Sequence, residues 1–399
     1  MTPVQEVVIA GRCAWRKRCT CGVVVRVHHS PIQCSCGRYI VLCDEENDAS
    51  DTVKILHLLD SPPAGGATVA AENVVYCMTG RMDYVLRVGK PTPLQRAFRT
   101  VGGYASVRVL AQMQTALDEH KPDIVHLHNF KEAGTSVIAA CKDESVPVVW
   151  SCYDYWCFSP RDYEIDFTWR TYQPAKGRRY PLIAKLPLLG RQRRIMRWMN
   201  RLDAVIALSE DSKRRLREGG LTVPPIHVVP LPVTVPLSGP PVPDDHLVRD
   251  LNLVLFVGGS PPHKGKHIFD AAMKIVQDKR PEVVGKSMFG AKRHRVLREI
   301  ARAACLVVPE QWPNPGPVVI AETQLLGTPV VASDIGGIRE MWPRSLCKAN
   351  DPEDFAEEII AVLKSPGPDV VTQEQAHRRH DPAVVHEQLM EVYRLCAIS

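Results

Sequence analysis

Apolar residues in this chain fall into short continuous runs separated by polar stretches of helical period. The run "VKILHLL" (Val53 to Leu59) meets the turn "DSPPAGG", and a helix is expected to open near Ala67. Strand, glycine loop and helix in that order begin a doubly wound α/β domain. The rhythm continues with "DIVHLHNF" as strand, "EAGTSVIAACKDES" as helix and "VPVVWSCYDYW" as strand. A basic stretch follows, then strand "DAVIALS", helix "EDSKRRLREGG" and short strand "IHVVPLP". "VTVPLSGPPVPDD" is rich in proline, has no period and reads as a linker. Beyond it come strand "LNLVLFVGGS", helix "GKHIFDAAMKIVQDK", strand "ACLVVPE", helix "GPVVIAETQLLG" and strand "TPVVASD". "DPEDFAEEIIAVLKS" is an amphipathic helix with Phe355, Ile359, Ile360 and Leu363 on one face. The pattern predicts two Rossmann-like parallel-sheet halves facing a cleft. Ligands would meet loops at the carboxyl ends of the strands.

Composition changes this picture only at the N-terminus. The 399 residues suit two domains, and 45% hydrophobic with 24% charged residues is ordinary for globular protein. A net charge of +6 is too mild for a nucleic-acid signature. No apolar run is long enough to span a membrane, and the order of charges at the start is wrong for a signal peptide. A cytoplasmic protein is expected. Of the thirteen cysteines, Cys13, Cys19, Cys21, Cys34, Cys36 and Cys43 lie in an Arg-rich segment, residues 1–52. Its "CTCG" and "CSCG" pairs are tighter than the usual zinc knuckle, so no metal is expected. The segment is read as a disordered extension, or one from an upstream start that the natural protein does not use. The basic stretch 176–201 mixes cations with Leu, Ile, Met and Trp. A peripheral contact with anionic membrane and a solvated helix beside the cleft are equal readings of it.

The densest chemistry lies in "VVPEQWPNPGPVVIAETQLLGTPVVASDIGGIRE". Pro317 suits a first helical position and Gly327 a helix end. Around Pro317, the free N–H groups of Gly316, Val318 and Val319 would form an anion site fit for a diphosphate. Glu322, inside that helix, could accept hydrogen bonds from sugar or ribose hydroxyls. The pair Gly336–Gly337 would let backbone approach a ligand closely.

This segment resembles the signature of the retaining glycosyltransferases of family 4, Glu-x7-Glu followed by a "GxPVVAS-x-x-GG-x-x-E" run. Glu322 stands at the second acidic position, and Gly327, Pro329, Val330, Ser333, Gly336, Gly337 and Glu340 fall in place. Asn314 occupies the first acidic position, which in the family faces the donor sugar. "FVGGSPPHKG" resembles the phosphate-binding strand end. Gly258 lies in its loop, Lys264 is at the place of the lysine that contacts the diphosphate, and Gly259 and Ser260 stand where an arginine is often found. Gly65 and Gly66 resemble the glycine loop facing donor phosphate and acceptor. His126, His128 and Asn129 resemble one acceptor-side strand end, and Tyr153 and Asp154 the other. Tyr153 replaces a family histidine. The interval from Gly265 to Pro309 is short for the family, so a donor domain lacking a strand is expected.

The resemblance implies the GT-B fold and a transferase moving a sugar from a nucleotide-diphosphate donor to a glycan or lipid-linked acceptor. It further implies retention and no metal or other cofactor. Tyr153, Asp154, His128 and Asn314 would be the catalytic set. The implied layout is an N-terminal acceptor-side domain (53–236), a linker (237–249) and a donor domain (250–375). A C-terminal helix (376–399) would cross back to the first domain. The alternative is a catalytically weak protein of the same fold that binds nucleotide sugar or glycan as a partner subunit.

Overall fold

The computed structural model describes residues 53–60, 66–78, 83–88, 107–158, 182–233, 249–259, 261–341, 343–365 and 367–397. It also describes a two-residue antiparallel pair, Ile32–Gln33 with Tyr39–Ile40. The cysteine-rich extension apart from that pair, Gly65, Ser260 and nearly all of the proline linker lie outside the described residues.

Two parallel sheets form the frame. The first has β1 (Ile55–Asp60), β2 (Asp83–Val88), β3 (Ile124–Leu127), β4 (Val148–Cys152), β5 (Ala204–Ala207) and β6 (Ile226–Val228). They are ordered β2-β1-β3-β4-β5-β6. Helices α1 (Gly66–Cys77), α2 (Val107–His120), α3 (Ser136–Asp143), α4 (Leu182–Met199) and α5 (Glu210–Glu218) alternate with them. β3, β4 and β5 are buried along their whole length. That is why their sequences are mainly apolar rather than alternating, broken only by the buried His126 in β3 and Ser151 in β4. β2 and α2 lie in a stretch to which the pattern above assigns no element.

The second sheet is ordered β8-β7-β9-β10-β11. Its strands are β7 (Asp250–Val257), β8 (Val284–Met288), β9 (Ala303–Val308), β10 (Val330–Ser333) and β11 (Ser345–Cys347). Its helices are α6 (Lys266–Lys279), α7 (Arg293–Arg302), α8 (Val318–Leu325) and α9 (Pro352–Lys364). The compressed segment thus yields one strand and one helix, β8 and α7. β8 sits at the open edge with residues 284–287 exposed.

Two final helices, α10 (Val370–His380) and α11 (Pro382–Ala397), close the chain. α10 packs on α8, and α11 returns to α1 and β3 of the first half. Tyr393 of α11 is fully buried and its hydroxyl is bonded to His126 Nδ1 at 2.6 Å. One hydrophobic cluster accordingly runs from Ile55 and Ile124 through Leu255 and Leu306 to Leu389. The two halves share a core, so the cleft between them has a defined geometry.

Candidate active site

The donor side is organised by Gly265. After β7 the chain passes Gly258 and Gly259 and makes a single 3-10 turn, Pro262–Lys264, ending on Gly265 at φ 72°. A Cβ on Gly265 would lie 1.7 Å from the carbonyl oxygen of Pro309, so only glycine lets this turn rest against the end of β9. The approach sets Lys264 beside Glu310. Lys264 Nζ donates to Glu310 Oε1 at 2.6 Å, with side chains 32% and 4% exposed respectively. The ammonium also lies 6.0 Å from the centre of the Trp312 ring. Glu310 Oε2 is buried and has no hydrogen bond among the described residues. A buried anion behind a half-exposed cation holds the ammonium at the mouth of the turn, where an incoming phosphate can reach it. Nothing in the sequence marks Glu310, because its partner is 46 residues away.

Glu322 is also paired. Its Oε1 accepts from Arg293 Nε at 2.8 Å, and its side chain is only 8% exposed. Burial raises its pKa, and the guanidinium of Arg293 pulls it back down. The pair joins the start of α7 to the middle of α8.

The loop before α8 is more self-contained than its sequence suggests. Pro317 is the residue before the helix and not its first member. Gly316 N–H donates to Asn314 Oδ1 at 3.1 Å, so this amide is not open to an anion as expected. Ile320 N–H turns back on the Pro317 carbonyl. By helix geometry the amides of Val318 and Val319 have no intrahelical partner. Asn314, expected to face the donor sugar, uses its side-chain oxygen to shape its own loop. Gly336 and Gly337 serve close packing of protein on protein. A Cβ on Gly336 would lie 2.5 Å from the Pro313 carbonyl carbon, and one on Gly337 2.1 Å from the Pro315 carbonyl oxygen.

On the acceptor side, His57 and His126 are cross-strand partners on β1 and β3, and His128 follows on the same face. His57 Nδ1 and His128 Nε2 share a hydrogen bond of 2.9 Å. His128 Nδ1 pairs with the Tyr153 hydroxyl at 2.9 Å, and His126 Nε2 with Ser151 Oγ at 2.8 Å. His126 and His128 are 0% and 1% exposed, which takes both out of direct acceptor contact. Burial, then the neighbouring imidazoles, hold both far below the ordinary histidine pKa, so the rings are neutral. Burial likewise pushes the Tyr153 hydroxyl up, keeping it protonated. Tyr153 is thus braced from behind by neutral rings. The donor nitrogens of the three imidazoles lie within 4.8 Å of one another. Among the described residues the cluster holds imidazoles alone, and most of their nitrogens are committed to Ser151, Tyr153, Tyr393 or each other. The cluster fits a hydrogen-bonded network better than a metal centre.

Asp154 caps the turn after β4 by accepting from Trp156 N–H at 3.2 Å. Asn129 is half-buried in the loop after β3. Gly66 is exposed, and a Cβ there would meet nothing within 4 Å, so packing among the described residues does not require glycine.

Trp312 ties the two sides together. Its ring makes edge contacts with Tyr155 on the acceptor side and His263 on the donor turn, at 6.2 and 6.3 Å between centres. Glu340 reaches across the seam as well. Its two carboxylate oxygens accept the Glu210 and Asp211 amides, each at 2.8 Å, at the positive end of α5. Ser209 Oγ donates to the Pro315 carbonyl at 2.8 Å. An open depression of about 560 Å³ beside this seam is lined by charged residues such as Asp211, Arg214, Asp334 and Arg339. These pair with one another (Arg214 with Asp211, Arg339 with Asp334); Gly336 and Glu340 of the signature line it too, whereas Lys264, Glu322, His128 and Tyr153 do not.

Residues 65–235 match the family described as Glycosyltransferase Family 4, and residues 251–365 match Glycosyl transferases group 1. A D-inositol 3-phosphate glycosyltransferase of Xylanimonas cellulosilytica is 29% identical over 206 residues, 41% of this chain and 49% of that protein. A phosphatidyl-myo-inositol mannosyltransferase of Mycobacterium leprae is 34% identical over 92 residues, 21% of this chain and 24% of that protein. The match therefore spans about half the length of the first relative and a quarter of the second. Among solved structures, Anabaena HepE with UDP and glucose aligns at a TM-score of 0.61 and 17% identity, covering 86% of this chain and 99% of that one. Sucrose-phosphate synthase from Thermosynechococcus elongatus aligns at 0.64 and 14%, covering 87% and 100%. The shared architecture is the GT-B fold.

Proposed function

We propose that this chain, which belongs to the family 4 glycosyltransferases, moves a sugar from a nucleoside diphosphate donor to a hydroxyl of a glycan or lipid-linked acceptor. The observation that carries the reading is the Lys264–Glu310 pair in the turn after β7. Lys264 and the amides of Val318 and Val319 would meet the negative charge that grows on the diphosphate as its bond to the anomeric carbon breaks. The acceptor oxygen forms the new bond to that carbon, and its proton leaves with the diphosphate or to solvent. Glu322 and Arg293 would hold donor hydroxyls, with Asn314 fixing the loop between them and Lys264. Tyr153, braced by His128, and Asp154 would position the acceptor, with Asn129 and Gly66 at its rim. Retention and independence from metal belong to the same reading.

The two relatives named above both take their names from phosphorylated inositols, which favours a phosphorylated polyol or lipid headgroup as acceptor. No helix among the described residues is long and apolar enough to cross a membrane. The basic stretch around α4 is proposed as the contact with an anionic membrane face. A binding subunit without turnover is the second reading, favoured by the inward-turned side chain of Asn314.

Lys264→Ala tests the donor site. A charge-assisted contact to phosphate is worth about 1.5–3 kcal/mol, so donor affinity should fall roughly ten- to a hundredfold by calorimetry, at a temperature where the variant, whose buried Glu310 has lost its partner, is still folded. Unchanged affinity would remove Lys264 from the site.

A further inference from the structure

Phe289 is the most exposed of the large apolar side chains described, at 76%. A phenyl ring left in water at the end of a strand has no packing reason of its own, and its surroundings suggest one. It follows β8 directly, at the carboxyl edge of the donor sheet. Gly258 N–H bonds the Met288 carbonyl at 3.1 Å, which keeps the ends of β7 and β8 together. The ring lies against Gly259: a Cβ there would be 3.1 Å from Phe289 Cε2. The volume that a side chain at position 259 would use is thus bordered by this ring and by Pro261. One residue on, Gly290 at φ 64° turns the chain, and Arg293 then reaches Glu322. β8, β7 and β9 are consecutive in the sheet. Phe289, the Gly258–Lys264 turn and the Pro309–Glu310 end of β9 therefore follow one another along a single rim.

We propose that the nucleobase of the donor stacks on the exposed face of Phe289, with ribose toward Arg293–Glu322 and diphosphate toward Lys264. The proposal rests on the nucleotide-sugar reading above and assigns it a base platform. The short β8–α7 connection supplies the platform, since among the described residues no further strand covers β8 at the sheet edge. Stacking on a phenyl ring accepts any base, so the ring confers affinity and little choice among bases.

The test is a set of calorimetric titrations of the full chain and of Phe289→Ala and Phe289→Tyr with UDP, GDP, ADP and inorganic pyrophosphate. An exposed side chain can be removed without unfolding the domain. Phe289→Ala should weaken all three nucleoside diphosphates about tenfold, leave pyrophosphate within about twofold, and be rescued by Phe289→Tyr. Nucleoside diphosphates bound by Phe289→Ala as tightly as by the parent would overturn the platform. So would an equal loss of pyrophosphate, which would make the ring a prop for the glycine turn. A parent chain that binds pyrophosphate no more weakly than any nucleoside diphosphate would instead overturn the nucleotide-sugar reading itself.

Discussion

Gly265→Ala should cost roughly 3–5 kcal/mol of stability and abolish donor binding. Two effects add. Alanine at φ 72° is strained, and its Cβ would be driven to 1.7 Å from the Pro309 carbonyl oxygen, an atom of the backbone of β9. Neither the turn nor the strand can yield alone, because Gln311 N–H also bonds the His263 carbonyl at 2.8 Å across the same junction. The turn must open, which carries Lys264 away from Glu310 and uncaps α6. Urea unfolding and donor titration would show both losses together. A variant that unfolds and binds like the parent would mean the junction relaxes freely, and the rigid donor turn would be lost as an explanation.

Acidification should destabilise the protein through its buried histidines. His126 and His128 are held far below their ordinary pKa by burial, and His380 is lowered to about 4 by the same cause. A lowered histidine binds its proton more readily in the unfolded chain, so stability falls as pH drops below about 6.5 and goes on falling toward the folded-state value. At pH 5 each such ring removes roughly 2 kcal/mol. The three together remove enough to threaten a typical domain. His380 Nδ1 donates to the Leu231 carbonyl, 2.7 Å away, where α10 meets the first half. Melting curves from pH 7.5 to 5 should drop steeply, and His380→Gln should flatten the slope by about 1.4 kcal/mol per pH unit below 6.5. A melting temperature constant over that range would show that these rings accept protons where they are.

Much of this was legible in the sequence. β3, β4, β5, β9 and β10 are buried along their length, so each appears as a mainly apolar run between breakers, interrupted only by His126 in β3, Ser151 in β4 and Ser333 at the end of β10. Such runs need no partner information to be found. β2, at a sheet edge with Val85 exposed, offers only a weak run between irregular segments. The site was readable as motif and not as geometry. Glu322 and Lys264 stand out by position, whereas Arg293, Glu310 and Trp312 matter only through contacts made across the fold. His57 carries no signal beside its own neighbours, and only the register of β1 on β3 brings it to His126. Glu340, a motif residue, caps a helix 130 residues earlier in the chain. Gly336, Gly337 and Asn314 showed where the backbone is special but not what it approaches. In each case the missing information is which distant element supplies the partner.

The account stands most directly on transfer itself. The parent chain and Lys264→Ala would each be incubated with nucleoside diphosphate hexoses and an inositol-phosphate or lipid-linked acceptor, and the product's anomeric proton followed by NMR. The account predicts a new glycoside from the parent with the donor's anomeric configuration retained, and a yield at least tenfold lower from Lys264→Ala, about the worth of one lost phosphate contact. A parent chain that binds donors yet forms no glycoside with any acceptor, or forms one of inverted configuration, would contradict it.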